Sequence, residues 1–491
     1  MNKRVLPSLL VVTVVFGLTG SNWLLANRQA SAQKRQESLL PNDRDRITKQ
    51  LKADISQLAS TPRYSKEQYA RAVAYVRSQA QAAGLDAVIE PVEGVSQWER
   101  GDSDRCDLLL PNGSTEPFRL VALTTSAGGD VEGEVVLVNY FFDKNQGPPP
   151  QRFDEGKRRR IVFFSRSLER DRSDKGYIKT VPQRNDGALW AARYGAAAVL
   201  VRSVQTGNGP PHTGAVNYSS KIPKIPAAAL SVEDADRLER LLCPGKDSDD
   251  PTSSQLCDGK ASVHLRIAPK QSARTQDNVV IRIPGTTQPK EIVLLGAHLD
   301  SHDATPGAAD DAAGVASVLA VMREFARNPP ARTILFVLFA DEELDGSGAL
   351  AFVKHHEEEL PQIVAATEID DGDGAPRALQ ITASETETAA AILTLRRIAD
   401  SVGSDASGLE LRAETGAYGA DIEPLWKKHG IPEIAIPQDF TNYFDKHHAK
   451  NDTPENVDLD GLGRTTFLLI RVMQVLTSGA ATPLHRTAVA R

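Results

Sequence analysis

Seven residues, Thr333-Ile334-Leu335-Phe336-Val337-Leu338-Phe339, run without a polar break into Ala340-Asp341-Glu342-Glu343. An apolar run without alternation is the pattern of a strand covered on both faces. Carboxylates at its end put charge where the strand stops. The same arrangement recurs twice. Ile292–Leu295 leads to His298-Leu299-Asp300, and Ile363–Ala366 leads to Glu368-Ile369-Asp370-Asp371. Between them, Ala312–Arg327 carries Val315, Val318, Leu319, Met322 and Phe325 on one helical stripe and is stopped by Asn328-Pro329-Pro330. Val279–Ile283 reads as a further strand, and Glu385–Ser401 and Leu459–Thr477 as further helices. Alternating strands and helices predict an α/β fold, a mostly parallel sheet sandwiched by helices.

Upstream, residues 33–60 have weak helical spacing, and 66–84 form a stronger helix closed by Gly84. From about Gly129 the texture changes. Val135–Val138, Ile161–Phe164 and Ala196–Val201 read as buried strands, with a helix over Asp186–Tyr194, and 129–268 is expected to be a small α/β insert. At the N-terminus, Lys3 and Arg4 precede an apolar stretch centred on Leu9–Leu18, followed by Ala30-Ser31-Ala32, a small-residue cleavage pattern. Pro7, Gly17, Gly20, Ser21 and Asn22 interrupt that stretch, whereas a clean span needs about 20 apolar residues. Residues 1–32 are therefore expected to be a signal peptide, with a retained anchor as the rival reading. After cleavage no other segment is apolar enough to span a membrane. The net charge of -7 gives no general attraction to nucleic acid or anionic lipid. Cys243 and Cys257 bracket a Pro/Asp/Ser-rich loop; they either pair in an oxidising compartment or, with Cys106, stay as thiols.

Ligand sites in open α/β sheets lie beyond the carboxyl ends of the strands. His298, Asp300, Asp310-Asp311, Glu342-Glu343 and Asp370 are thus expected in one crevice, with His447-His448 and Asp452 from the last loop. Singly, such residues are commonplace: a His-x-Asp is usually a surface or core histidine, Glu-Glu pairs line solvated helices, and Asp310-Asp311 would serve as a helix cap. As an ordered set they would repel strongly unless neutralised. Imidazole plus carboxylate without thiolate suits one or two divalent metals that still bind water.

The segments GAHLDS (296–301), GAADD (307–311), ADEE (340–343), EIDDG (368–372) and HHAKNDT (447–453) occur in the order found in the zinc exopeptidase family of bacterial leucyl aminopeptidases and carboxypeptidase Q, which the chain resembles. The resemblance runs from about residue 65 to 475. Within 129–268 it is to a protease-associated domain, carried by YIKTVPQR (177–184), GALWAARYGAAAVLVRSV (187–204), PHTG (211–214) and KIPKIPAAALSVEDA (221–235). It implies two zinc ions per chain bridged by Asp310, one also held by His298 and Asp370, the other by Glu343 and His448. It further implies Glu342 as general base and Asp300 as the residue orienting His298. Where some relatives have a tyrosine this chain has His447, read as substrate-binding through the scissile carbonyl, with simple packing as the alternative. The chain then divides into a signal peptide (1–32), the first part of a peptidase domain (33–128), the insert (129–268), the catalytic domain (269–478) and a loose tail (479–491). The implied protein is an exported (secreted or periplasmic) exopeptidase acting on dipeptides or short peptides, like carboxypeptidase Q; an aminopeptidase is the alternative. A non-catalytic binding or receptor protein on the same scaffold is the competitor of another class. The resemblance is compatible with a homodimer.

Overall fold

The computed structural model describes residues 41–138, 152–154, 160–244, 256–257, 261–272 and 274–479. The expected signal peptide and most of the expected tail lie outside the described residues. Among them, no helix is long and apolar enough to cross a membrane. Cys243 is disulfide-bonded and Cys106 is free and buried; the side chain of Cys257 lies outside the described residues.

The main sheet contains β1 (Ala87–Pro91), β2 (Asp277–Ile283), β3 (Gln288–His298), β4 (Arg332–Phe339) and β5 (Ile363–Glu368), in the order β1-β2-β4-β3-β5. β4, β3 and β5 are mutually parallel, with Leu295 opposite Phe336 and Thr367, whereas β2 and β1 are antiparallel to their neighbours. The sheet is thus mixed, with its parallel part under the acidic segments. Every residue of β4 is buried. Leu335, Val337 and Phe339 join Ile292 and Leu294 against Phe352, Val353, Leu425 and Ile431. Ile334, Phe336 and Leu338 point the other way and are equally buried. Helix Ala313–Arg327 packs on β3 and against helix Leu459–Leu476. β2 and β3 are consecutive yet not adjacent, so residues 284–287 must cross the start of β4. Gly285 allows the crossing: a Cβ there would lie 2.4 Å from the Ala331 carbonyl oxygen. A small sheet of β6 (Ala378–Thr382), β7 (Glu410–Glu414) and β8 (Ile434–Ala435) is joined to β5 through the bridge between Ala366 and Glu433.

A second large sheet has a parallel centre, Gly129–Val138, Arg160–Phe164, Ala198–Arg202 and Ala227–Leu230 in that order. Its flanks are antiparallel: Ser262–Ile267, Arg105–Leu109 and Thr115–Phe118 on one side, Leu120–Ala122 on the other. This sheet therefore begins upstream of Gly129, where the texture of the sequence changes. The early strands contain Arg105, Asp107, Glu116 and Pro117 and present no apolar run. Trp98–Glu99 pairs with Lys270–Gln271 where the chain enters and leaves this unit. We propose that ribbon as the border of the insert.

Candidate metal centre

β3 ends at His298 and β4 at Phe339, and the Leu299 N–H bonds the Phe339 carbonyl at 2.7 Å, so the two segments leave the sheet side by side. His298, Asp300 and Asp310 are all within 3% of complete burial. The His298 Nε2 lies 3.1 Å from Asp310 Oδ1 and 3.3 Å from Asp370 Oδ1. Its Nδ1 faces Asp300 Oδ1 at 3.6 Å, and the same oxygen accepts the Glu342 N–H at 3.1 Å. Asp300 thus faces the imidazole of one segment and holds the backbone of the other.

On the far side of Asp310, its Oδ2 lies 3.1 Å from His448 Nε2 and 3.4 Å from His447 Nε2, and His448 Nε2 is 3.0 Å from Glu343 Oε2. His448 and Asp341 hold left-handed backbone conformations, φ 63° and 58°. Such conformations in non-glycine residues cluster at sites where surrounding structure over-determines them. The adjacent acids at the helix entrance divide their roles. Asp310 faces the histidines, while Asp311 caps the helix through the Gly314 N–H (2.9 Å) and holds the His298 N–H (3.2 Å). Asp452 accepts the backbone N–H groups of Ala309 and Asp310 at 2.7 and 3.1 Å.

Burial, then the charges of Asp370, Glu343 and Asp421, pushes the Glu342 carboxyl well above the usual range, opposed by His298. Burial alone would lower the His298 imidazole, but the Asp370 charge and bonds to Asp300, Asp310 and Asp370 raise it well above normal. All eight residues singled out from the sequence stand at this one place. His298, Asp310 and Asp370 form one potential cation cluster; Asp310, His447 and His448 form a second; His302, Glu343 and His448 form a third. Asp310 Oδ2, Glu343 Oε1, Asp370 Oδ1 and His302 Nε2 are buried without a well-formed hydrogen bond. Buried donors of this kind, oxygen and imidazole nitrogen without sulfur, fit divalent zinc.

The cleft above them has a volume of about 580 Å³. One wall comes from the insert: Tyr177, Arg184, Asn185 and Asn217. Tyr177 stacks on Phe444 at 4.7 Å and meets the His447 ring edge-on. Arg184 donates to the Thr213 carbonyl and the Tyr177 hydroxyl and sits 3.2 Å from His448 Nδ1.

Three residues at this site were not singled out in the sequence. His302 stands only four residues past His298, a proximity that was the available signal. Arg184 lies inside a resembling segment but in the insert. Arg63 donates to the carbonyls of Leu299, Pro306 and Asp300 at 2.7, 2.8 and 3.0 Å, partners that leave no mark on sequence.

Residues 278–473 match the family model described as Peptidase family M28. Human carboxypeptidase Q is 30% identical over 397 residues, 79% of this chain and 76% of that protein. The chain belongs to peptidase family M28. It is accordingly a metallo-exopeptidase with a peptide substrate. A solved M28 peptidase precursor from Shewanella amazonensis is 28% identical, with a TM-score of 0.73 over 90% of this chain and 99% of that one. A zinc aminopeptidase from Bacillus subtilis, 18% identical with a TM-score of 0.57 over 89% and 97%, shares the fold. Within this M28 chain, the residues expected as ligands, base and orienting carboxylate all lie inside the stretch that the family model covers: His298, Asp300, Glu342, Glu343 and Asp370 at strand ends, Asp310 at the helix entrance and His448 in the last loop.

Proposed function

We propose that this M28 enzyme is an exported exopeptidase that works with two zinc ions and hydrolyses dipeptides or short peptides, acting at the carboxyl end, the end named in its relatives' name, carboxypeptidase Q. The observation that carries the reading is the position of Asp310, one oxygen toward His298 and the other toward His448. His298 and Asp370 would hold one ion with Asp310, and Glu343 and His448 the other. Bound zinc supplies Lewis acidity, polarising a carbonyl and making water more acidic.

The chain's own residues do the rest. Asp300 fixes the orientation of His298 and the backbone of Glu342. Glu342 lines the cleft and serves as general base, taking the proton of the attacking water and delivering it to the leaving amine. His447, packed among Tyr177, Tyr443, Phe444 and His448, presents its imidazole edge to the substrate carbonyl.

A cleft of about 580 Å³ is of the size that accommodates a dipeptide or short peptide. Arg184 places a cation in the wall, matched to a free substrate carboxylate. A second reading, removal of N-terminal residues, is favoured by the acids Asp174 and Asp371 that also line the cleft. A panel of dipeptides with free, N-blocked and C-amidated ends, assayed on zinc-loaded protein, separates the two. Loss of cleavage on amidation alone supports the carboxyl-terminal reading, and loss on N-blocking alone overturns it. Export is tested by N-terminal sequencing of the protein recovered outside the cytoplasm. A start near Gln33 supports it, and a start at Met1 sinks the cleavage.

A further inference from the structure

His302 is completely buried, and its ring stands edge-on to that of His448 with centroids 4.4 Å apart. Its Nδ1 is 3.2 Å from Thr124 Oγ1, a residue of the insert. The direction of the bonds beyond Thr124 can be read off the donors. The Ala122 carbonyl only accepts, so the Thr213 hydroxyl donates to it (3.1 Å). Thr213 Oγ1 is then an acceptor, and Thr124, 3.2 Å away, donates to it. Thr124 Oγ1 is in turn left to accept from His302 Nδ1–H. In that tautomer the Nε2 carries a lone pair, and it faces Glu343 Oε2 at 2.8 Å with no well-formed hydrogen bond. Two acceptors at that distance in a buried site call for a cation between them.

We infer that His302 is a further protein ligand of the ion held by Glu343 and His448, a role the sequence-derived set of five ligands leaves out. The inference rests on the two-metal reading above. With His302 included, this ion has His302, His448, Glu343 and Asp310, two imidazoles and two carboxylates. Four protein ligands make a closed zinc site, and three leave a position open. The His298–Asp370 ion, with Asp310 its only other ligand, is then the one with room for water and substrate. Thr124 is a positioning residue: its acceptor oxygen fixes the tautomer, the usual service of a second partner to a ligating histidine. The insert thereby tunes metal affinity as well as walling the cleft.

The test counts metal rather than turnover. Purified full-length protein is titrated with Zn²⁺ against a competing chelator, alongside His302→Gln and Thr124→Val, with folding followed by circular dichroism. Wild type should bind two ions, one held more tightly. His302→Gln should weaken one ion about 100-fold and leave the other unchanged, and Thr124→Val should weaken the same ion about 10-fold. In Co²⁺-loaded protein, the visible absorption of that ion should change in His302→Gln. One ion per wild-type chain at saturation overturns the two-metal reading itself. Two ions with unaltered affinities and Co²⁺ spectrum in His302→Gln overturn the role of His302 and leave that reading standing. If His302→Gln does not fold, Thr124→Val decides: unchanged affinity there overturns the inference.

Discussion

Adjacent residues of the same type take opposite roles at this centre. Asp310 meets the histidines while Asp311 serves the helix N-terminus and the His298 backbone. The same split is expected of Glu342 and Glu343. Glu342→Gln should keep the fold and its zinc, because it removes a proton acceptor and no ligand. Its kcat should fall about 10²–10⁴-fold, beyond rescue by added zinc. Glu343→Gln should instead lose one ion and regain part of its activity as zinc is raised. Zinc titration with activity read at each step checks both, and the reverse pattern would mean that the roles are exchanged. His212 offers a residue-scale test away from the acids. It is 1% exposed, neither ring nitrogen makes a well-formed hydrogen bond, and burial, then the nearby His448 charge, pushes its pKa down to about 3. An unfolded histidine titrates near 6.5, so its neutral burial supports the fold above that value and loses that support as pH falls from about 6.5 to 3. His212→Leu removes the ionisation. Relative to wild type, the variant's folding constant should gain up to about tenfold per pH unit across that window and run parallel above it. Urea unfolding at a series of pH values measures this, and parallel curves throughout would refute it.

Among the elements, what the sequence reveals depends on whether an element's environment is uniform. β4 is legible because both faces are covered and every position from Ile334 to Phe339 is apolar. The helix 313–327 is buried all round as far as Met322, and is legible because its large apolar side chains recur at helical spacing. The flanking strands at 105–118 are not, since they carry charges and a proline on half-exposed edges. Nor is the order β2-β4-β3, which depends on the closeness of Gly285 to the Ala331 carbonyl. The five expected ligands are visible because their chemistry is carried by side-chain type, at strand ends for His298, Glu343 and Asp370, at a helix entrance for Asp310 and in the last loop for His448. Arg63 is invisible because its partners are carbonyls. It lies between helices Pro41–Leu58 and Lys66–Ala82, and ties the loop of Leu299, Asp300 and Pro306 in place. Burial pushes its pKa down, and Asp311, Asp300, Asp452 and Asp310 oppose that. Arg63→Met should cost about 3–5 kcal/mol, since it leaves buried acceptors and acids without their cation. Arg63→Lys, keeping the charge but not the fork, should cost less. Urea midpoints of the two variants test the ordering. A second joint between elements is Asp54, which takes Arg323 in a two-pronged bond of 2.6 and 2.8 Å and the Tyr75 hydroxyl at 2.6 Å. It fastens two N-terminal helices to the helix that begins at the metal centre.

Across the molecule, the cleft belongs to both sheets. The main sheet supplies the acids and the insert supplies Tyr177 and Arg184, so recognition and chemistry sit on separately built walls. Arg184→Met should raise KM about 10–100-fold for a dipeptide with a free carboxylate, the scale of one charged hydrogen bond. It should leave a C-amidated substrate unaffected. Equal losses for both substrates, measured by steady-state kinetics, would sink that role. The topology also dictates an order of events. β1 pairs with β2, Ala87 opposite Ile281, and residues 92–276 lie between the two strands. A chain delivered from its N-terminus at about 5–20 residues per second makes β1 wait roughly ten to forty seconds for its neighbour. All the strands of the insert's sheet are available within that interval. The unit that walls the cleft thus has its whole sheet in hand before the sheet that carries the metal ligands can form its first pair of strands.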